Sequence, residues 1–145
     1  MDDGTDGTGG PDDAQILQLI LQAGRDTLME RMGIELAVVT RDRLEATMPV
    51  EGNRQPYGLL HGGASCVLAE SLASLGAGLN AWPDRVALGV EINATHHRAV
   101  KEGGVRGVAT PLHRGRTVSS WAVEIGDDSG RRVCTARVTC LLREA

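Results

Sequence analysis

Residues 61–80 read HGGASCVLAESLASLGAGLN, with one carboxylate, Glu70, and no lysine or arginine. Alanine, leucine, serine and glycine dominate, and the length predicts a helix of about five turns. A helix so poor in charge must be mostly buried. It is therefore the element around which the rest of the chain packs.

On its N-terminal side, Pro11-Asp12-Asp13 is a helix-start signal, with acids at the positive end of the dipole. Ile16, Leu17, Leu19, Ile20, Ala23, Leu28 and Met32 recur at helical intervals and Gly33 stops the run, which predicts one helix. Residues 34–40 and 43–50 are β-favouring runs around Arg41-Asp42, a hairpin, and 51–60 (EGNRQPYGLL) is a loop. On the C-terminal side, beyond a turn at Trp82-Pro83-Asp84, β-type segments cover 86–97, 104–113, 117–126 and 131–142, with Asp127-Asp128-Ser129-Gly130 as a hairpin turn. Helices and strands are segregated. The expectation is α+β: an antiparallel sheet of about six strands wrapped round one long helix.

The chain has 145 residues, 41% of them apolar and 23% charged, enough for one domain with a real core. Its net charge of −4 comes from a tail: residues 1–13 hold five aspartates and no base, and the remainder nets +1. These 13 residues read as a disordered tail and 14–145 as the folded domain. With no basic stripe and only Tyr57, Trp82 and Trp121 to stack on bases, nucleic-acid binding loses support. No stretch approaches the roughly 18–20 apolar residues of a membrane span, and no secretory signal is evident, so a cytoplasmic protein is expected. Cys66, Cys134 and Cys140 have no C-x-x-C spacing and read as reduced, buried thiols.

At about 100° per residue, Gly63, Cys66, Ala73, Ser74 and Ala77 fall within about 60° of Glu70. A carboxylate among small side chains is either a solvated residue on a packing gap, or paired with an arginine, or a reactive group with room beside it for a substrate. The helix start favours the last of these. His61-Gly62-Gly63 leaves the Gly62 and Gly63 amides as unpaired donors at the positive end, able to polarise a carbonyl. Gly62 and Glu70 are about 12 Å apart along the axis, a gap that a second subunit closes more easily than one chain. A Ser-His-Asp triad finds no G-x-S-x-G elbow. A Cys66–His61 dyad is disfavoured because Cys66 lies inside an apolar helix. His96 and His97 are adjacent on a strand and face opposite ways, with no third ligand, so no metal is expected.

The stretch from Gln55-Pro56-Tyr57-Gly58-Leu59-Leu60-His61-Gly62-Gly63 to Glu70-Ser71-Leu72-Ala73-Ser74 resembles the hotdog-fold acyl-CoA thioesterases. The likeness is to their aryl-CoA branch: the 4-hydroxybenzoyl-CoA, phenylacetyl-CoA and 1,4-dihydroxy-2-naphthoyl-CoA thioesterases. Further matches follow in order at residues 89–98 (GVEINATHHR), 111–116 (PLHRGR) and 130–134 (GRRVC).

The resemblance implies a dimer with two active sites at the subunit interface, usually paired into a homotetramer. It implies Glu70 as nucleophile or general base and the Gly62 amide as holder of the thioester oxygen. Gln55 and His61 would orient the carbonyl and departing thiolate, and Ser74 the water. It places Gly89 beside the pantetheine or acyl path. Nucleotide contacts would come from His96, His97 and Arg98, and from the loop His113, Arg114, Gly115, Arg116 and Thr117. Residues 85–116 hold six bases against two acids, and arginine suits the phosphates of CoA. A thioester is electrophilic and its thiolate leaves readily, so one carboxylate and oriented donors suffice, with no cofactor beyond the CoA of the substrate. The partners expected are acyl-CoA and further copies of the chain, with no membrane or nucleic acid. An enoyl-thioester hydratase or dehydratase on this fold and a non-catalytic acyl-CoA sensor are the alternatives.

Overall fold

Asp12 opens the first helix, α1 (Asp13–Ala23), through a capping box with Gln15: each side chain accepts from the other's backbone amide. The computed structural model describes residues 11–145. The first ten residues of the expected tail lie outside that range, whereas Asp12 and Asp13 belong to the helix start. The single helix expected as far as Met32 is instead two. Gly24 ends α1, Asp26 takes a left-handed φ of 54°, and Thr27 caps a short α2 (Leu28–Arg31) by accepting from the Glu30 amide. The apolar period runs through the break, which is why periodicity alone misses it.

The hairpin β1 (Glu35–Val39) and β2 (Leu44–Pro49) follows, then α3 (Gly62–Ala81), then β3 (Arg85–His96), β4 (Gly104–Arg114), β5 (Val118–Asp127) and β6 (Arg132–Glu144). All six strands form one antiparallel sheet in the order β1-β2-β4-β5-β6-β3. The expected architecture is the observed one, with the sheet curled round α3.

Leu68, Ala69, Leu72, Ala73 and Ala77 of α3 are fully buried against Leu44, Ala109, Trp121 and Val138 of the sheet. The Trp121 indole donates to Ser119 Oγ at 2.8 Å, so burying it leaves no orphan donor. Two glycines set the helix–sheet distance. A methyl on Gly76 would stand 2.6 Å from Trp121 Cη2, and one on Gly107 2.9 Å from Leu72 Cδ1. Gly76→Ala is expected to destabilise the fold by about 1–3 kcal/mol through overpacking, read as a lower urea midpoint at unchanged slope.

Nine of the twenty α3 residues are buried in the single chain, fewer than so charge-poor a sequence implies. Contrary to the sequence expectation, α3 has the length and mean hydropathy, 1.2 over its best window, of a membrane span. Its buried side packs on the sheet. β3 forms a sheet edge, twelve residues long, with Val86, Leu88 and Val90 about half exposed.

Candidate active site

The N-terminus of α3 is shaped by its own cap. His61 Nδ1 accepts from the Gly63 amide at 2.8 Å. An accepting Nδ1 carries no proton, so the neutral ring holds its proton on Nε2, which is then a donor. The Gly63 amide, expected to be free, is therefore taken. The Gly62 amide makes no hydrogen bond among the described residues, so one of the two expected donors remains.

The 51–60 loop folds back over this end. His61 N donates to Asn53 O at 2.8 Å and Gln55 N to Leu59 O at 2.8 Å. Asn53 is buried and its side-chain amide donates to Met32 O and Pro49 O, tying the loop to the body. Gln55 Oε1 accepts from the Tyr57 amide, which leaves the Gln55 side-chain NH₂ as donor. Gln55, Gly62, Ser65, His96, His97 and Arg98 line a cleft of about 370 Å³. In it His96 rests on the helix start: a methyl on Gly62 would stand 2.9 Å from His96 Nε2. Glycine at 62 thus keeps both the amide and the imidazole accessible. His97 Nε2 lies 2.8 Å from Thr135 Oγ1.

Glu70 is two turns further along α3, over the middle of β3. A methyl on Gly89 would stand 2.6 Å from Glu70 Oε1. Glu70 is exposed in the single chain, so the desolvation a reactive carboxylate needs is not present there. Cys66 lies one turn before it. Burial pushes the Cys66 thiol up, and the Glu70 charge adds to this, which disfavours a thiolate there. Ser74 lies one turn after Glu70, half-buried, with Oγ 3.9 Å from Cys140 Sγ.

The residues expected to meet CoA do not form one patch in one chain. His96–Arg98 lie at the end of β3, beside the cleft. The 113–117 loop lies near its start, where Arg85 donates to the Arg116 carbonyl. Twelve strand residues put these ends about 36 Å apart. Arg114 is paired with Asp42 of the β1–β2 turn, a partner not recognised in the sequence. His113 packs on Gly115, where a methyl would stand 2.6 Å from its Nε2, and Thr117 O accepts from the Leu142 amide.

A larger cleft, about 1070 Å³, lies on the outer face of the sheet, away from α3. Its arginines are paired: Arg43 and Arg106 both reach Glu45 at 2.6 Å, and Arg132 reaches Glu124 at 3.2 Å. The two guanidiniums hold the Glu45 carboxyl below its ordinary range. A depressed carboxyl stabilises the fold above its unfolded pKa and loses that contribution as pH falls through its folded one. Glu45→Gln is expected to flatten the acid limb of a stability–pH curve below about pH 4.3 and to leave catalysis near neutrality unchanged.

Residues 57–134 match the family model described as the thioesterase superfamily. The chain is 51% identical over 114 residues to the proofreading thioesterase EntH of Cronobacter turicensis, covering 78% of this chain and 83% of that one. It superposes with a TM-score of 0.83 on a thioesterase of Haemophilus influenzae, at 33% identity and covering 94% of this chain and 93% of that one. A mutant thioesterase of Pseudomonas aeruginosa gives the same TM-score at 34% identity, covering 95% of this chain and 98% of that one.

Proposed function

The chain belongs to the thioesterase superfamily and is a thioester hydrolase with the hotdog fold, and from that premise we propose that it hydrolyses an acyl-CoA carrying an aromatic or similarly bulky acyl group. The products are the free acid and CoA. The observation that carries this reading is the Gly62 amide, an unpaired donor at the positive end of a 20-residue helix, opening on a cleft with Gln55 and His96.

In this reading the thioester oxygen lies on the Gly62 N–H, with the Gln55 NH₂ beside it. His61 Nε2–H faces the departing sulfur. Glu70 either attacks the carbonyl carbon, giving an anhydride that water opens, or takes a proton from water as the water attacks. In both routes the thiolate leaves and acquires a proton. No cofactor takes part. Three unpaired thiols suit a reducing, cytoplasmic setting.

Glu70 and the Gly62 cleft come together through a second copy. The exposed β3 edge presents unpaired backbone groups and an apolar surface over twelve residues, a template for strand pairing. Antiparallel pairing of two such edges sets the start of one β3 against the end of the other. It brings the 113–117 loop of one copy towards His96–Arg98 of the other, and one copy's Glu70 towards the other's Gly62. The resulting interface covers Glu70, and two such dimers pair into the tetramer.

The first test is thiol release from benzoyl-, 4-hydroxybenzoyl-, phenylacetyl-, hydroxynaphthoyl-, hexanoyl- and palmitoyl-CoA. An acyl group on a carrier protein, which presents the same thioester, is added to the panel. Faster turnover of aryl-CoA supports the proposal; preference for the aliphatic or carrier-bound members overturns the substrate assignment. The assembly is tested with Leu88→Lys/Val90→Lys. A monomer by light scattering that has lost turnover is the expected result, and a fully active monomer defeats the two-chain site.

A further inference from the structure

Two pairs of residues face each other between α3 and the sheet. On the helix, Glu70 and Ser74 are one turn apart. On the sheet, Gly89 of β3 and Cys140 of β6 are direct cross-strand partners. Gly89 lies against the Glu70 carboxylate, and Cys140 Sγ lies 3.9 Å from Ser74 Oγ. We propose that Cys140 is a positioning residue, its thiol fixing the Ser74 hydroxyl so that Ser74 holds the hydrolytic water beside Glu70. This rests on the roles proposed above for Glu70 and Ser74.

A thiol offers one weak donor and a hydroxyl offers two acceptor lone pairs and one donor. Cys140 is fully buried, at 0% exposure. Burial pushes its thiol up, outweighing the downward pull of the Ser74 hydrogen bond, and the Glu70 charge adds to the rise. The proton therefore stays on sulfur, and in the proposed arrangement the thiol is the donor of this pair and one lone pair of Ser74 Oγ the acceptor. The second lone pair accepts one proton of the water, whose other proton points to Glu70. Without the thiol, the half-buried hydroxyl is free to rotate among its staggered positions and holds the water in one of several places. Cys134 and Cys66 do not substitute for it, since among the described residues neither sulfur hydrogen-bonds to Ser74.

The test combines a spectroscopic signature with a mutant cycle. The infrared S–H band of Cys140, assigned by its loss in Cys140→Ala, should move to higher frequency in Ser74→Ala. In the thiol-release assay, Cys140→Ala should lower kcat about fivefold, the worth of one modest hydrogen bond, with KM within about twofold. Cys140→Ser should restore most of the rate. In a Ser74→Ala background, Cys140→Ala should cost nothing further, because the interaction it served is gone. A Cys140 band unmoved by Ser74→Ala overturns the contact, with or without activity. Multiplicative kcat losses overturn the positioning role and reduce Cys140 to core packing. A wild type inert towards every thioester defeats the hydrolase reading itself. A band shift without turnover leaves the contact and removes its catalytic meaning. Should Cys140→Ala fail to fold, Cys140→Ser carries the assignment and the cycle.

Discussion

Glu70→Gln is expected to lower kcat by about 10³-fold, within the range general-base or nucleophilic groups supply, with KM little changed. That loss is about 4 kcal/mol of barrier. Glutamine keeps the shape and the hydrogen-bonding reach of the side chain while removing the negative charge. The loss therefore separates chemistry from packing. Glu70 is exposed and makes no ion pair among the described residues, so the fold should be indifferent to the change. An unchanged melting curve with collapsed turnover is the expected combination. Thiol release at several substrate concentrations is the measurement, and turnover within tenfold of wild type would remove Glu70 from the chemistry.

Gly89→Ala is expected to cost about 10²-fold in kcat, the scale on which an ångström of misplacement in a reacting group is felt. The added methyl would stand 2.6 Å from Glu70 Oε1, well inside contact distance. The carboxylate is the end of a flexible side chain, so it moves and the backbone does not. Gly89 is exposed, and the three atoms nearest the added methyl all belong to the Glu70 side chain. Stability should therefore fall little. A crystal structure of the variant checks the cause by showing a rotated Glu70 over an unmoved β3. Wild-type kcat would show that the carboxylate has more freedom than its seat on Gly89 implies.

The parts of the fold legible in the sequence are those set by local chemistry. The run from His61 to Asn80, with one carboxylate and no lysine or arginine, is the observed helix α3, and Asp127-Asp128-Ser129-Gly130 carries its own turn signal. The break at Gly24–Thr27 was hidden because Leu28 and Met32 continue the period of α1 while Asp26 and Thr27 turn the backbone. Site residues were legible as a set and less so as an arrangement. The Gly63 amide reads as free in the sequence because nothing in the order His61-Gly62-Gly63 says that the histidine ring turns back on its own helix. His96–Arg98 and the 113–117 loop share charge and so look like one patch in the sequence, yet β3 holds them at its two ends. The Arg114–Asp42 and Ser74–Cys140 pairs join residues 72 and 66 positions apart, contacts that only the sheet order creates.

β3 carries two duties on one backbone. Its inner surface seats the carboxylate through Gly89, and its open side supplies the edge on which a second copy is proposed to pair. A change in this strand that improves one duty is judged at once by the other. Substitutions there should be tolerated least during drift, and variants selected for new acyl groups should accumulate instead in the 51–60 loop, which lines the Gly62 cleft through Gln55, Leu59 and Leu60. Attempts to widen the substrate range of this protein are best begun in that loop, where a failed change leaves β3 and its proposed pairing untouched.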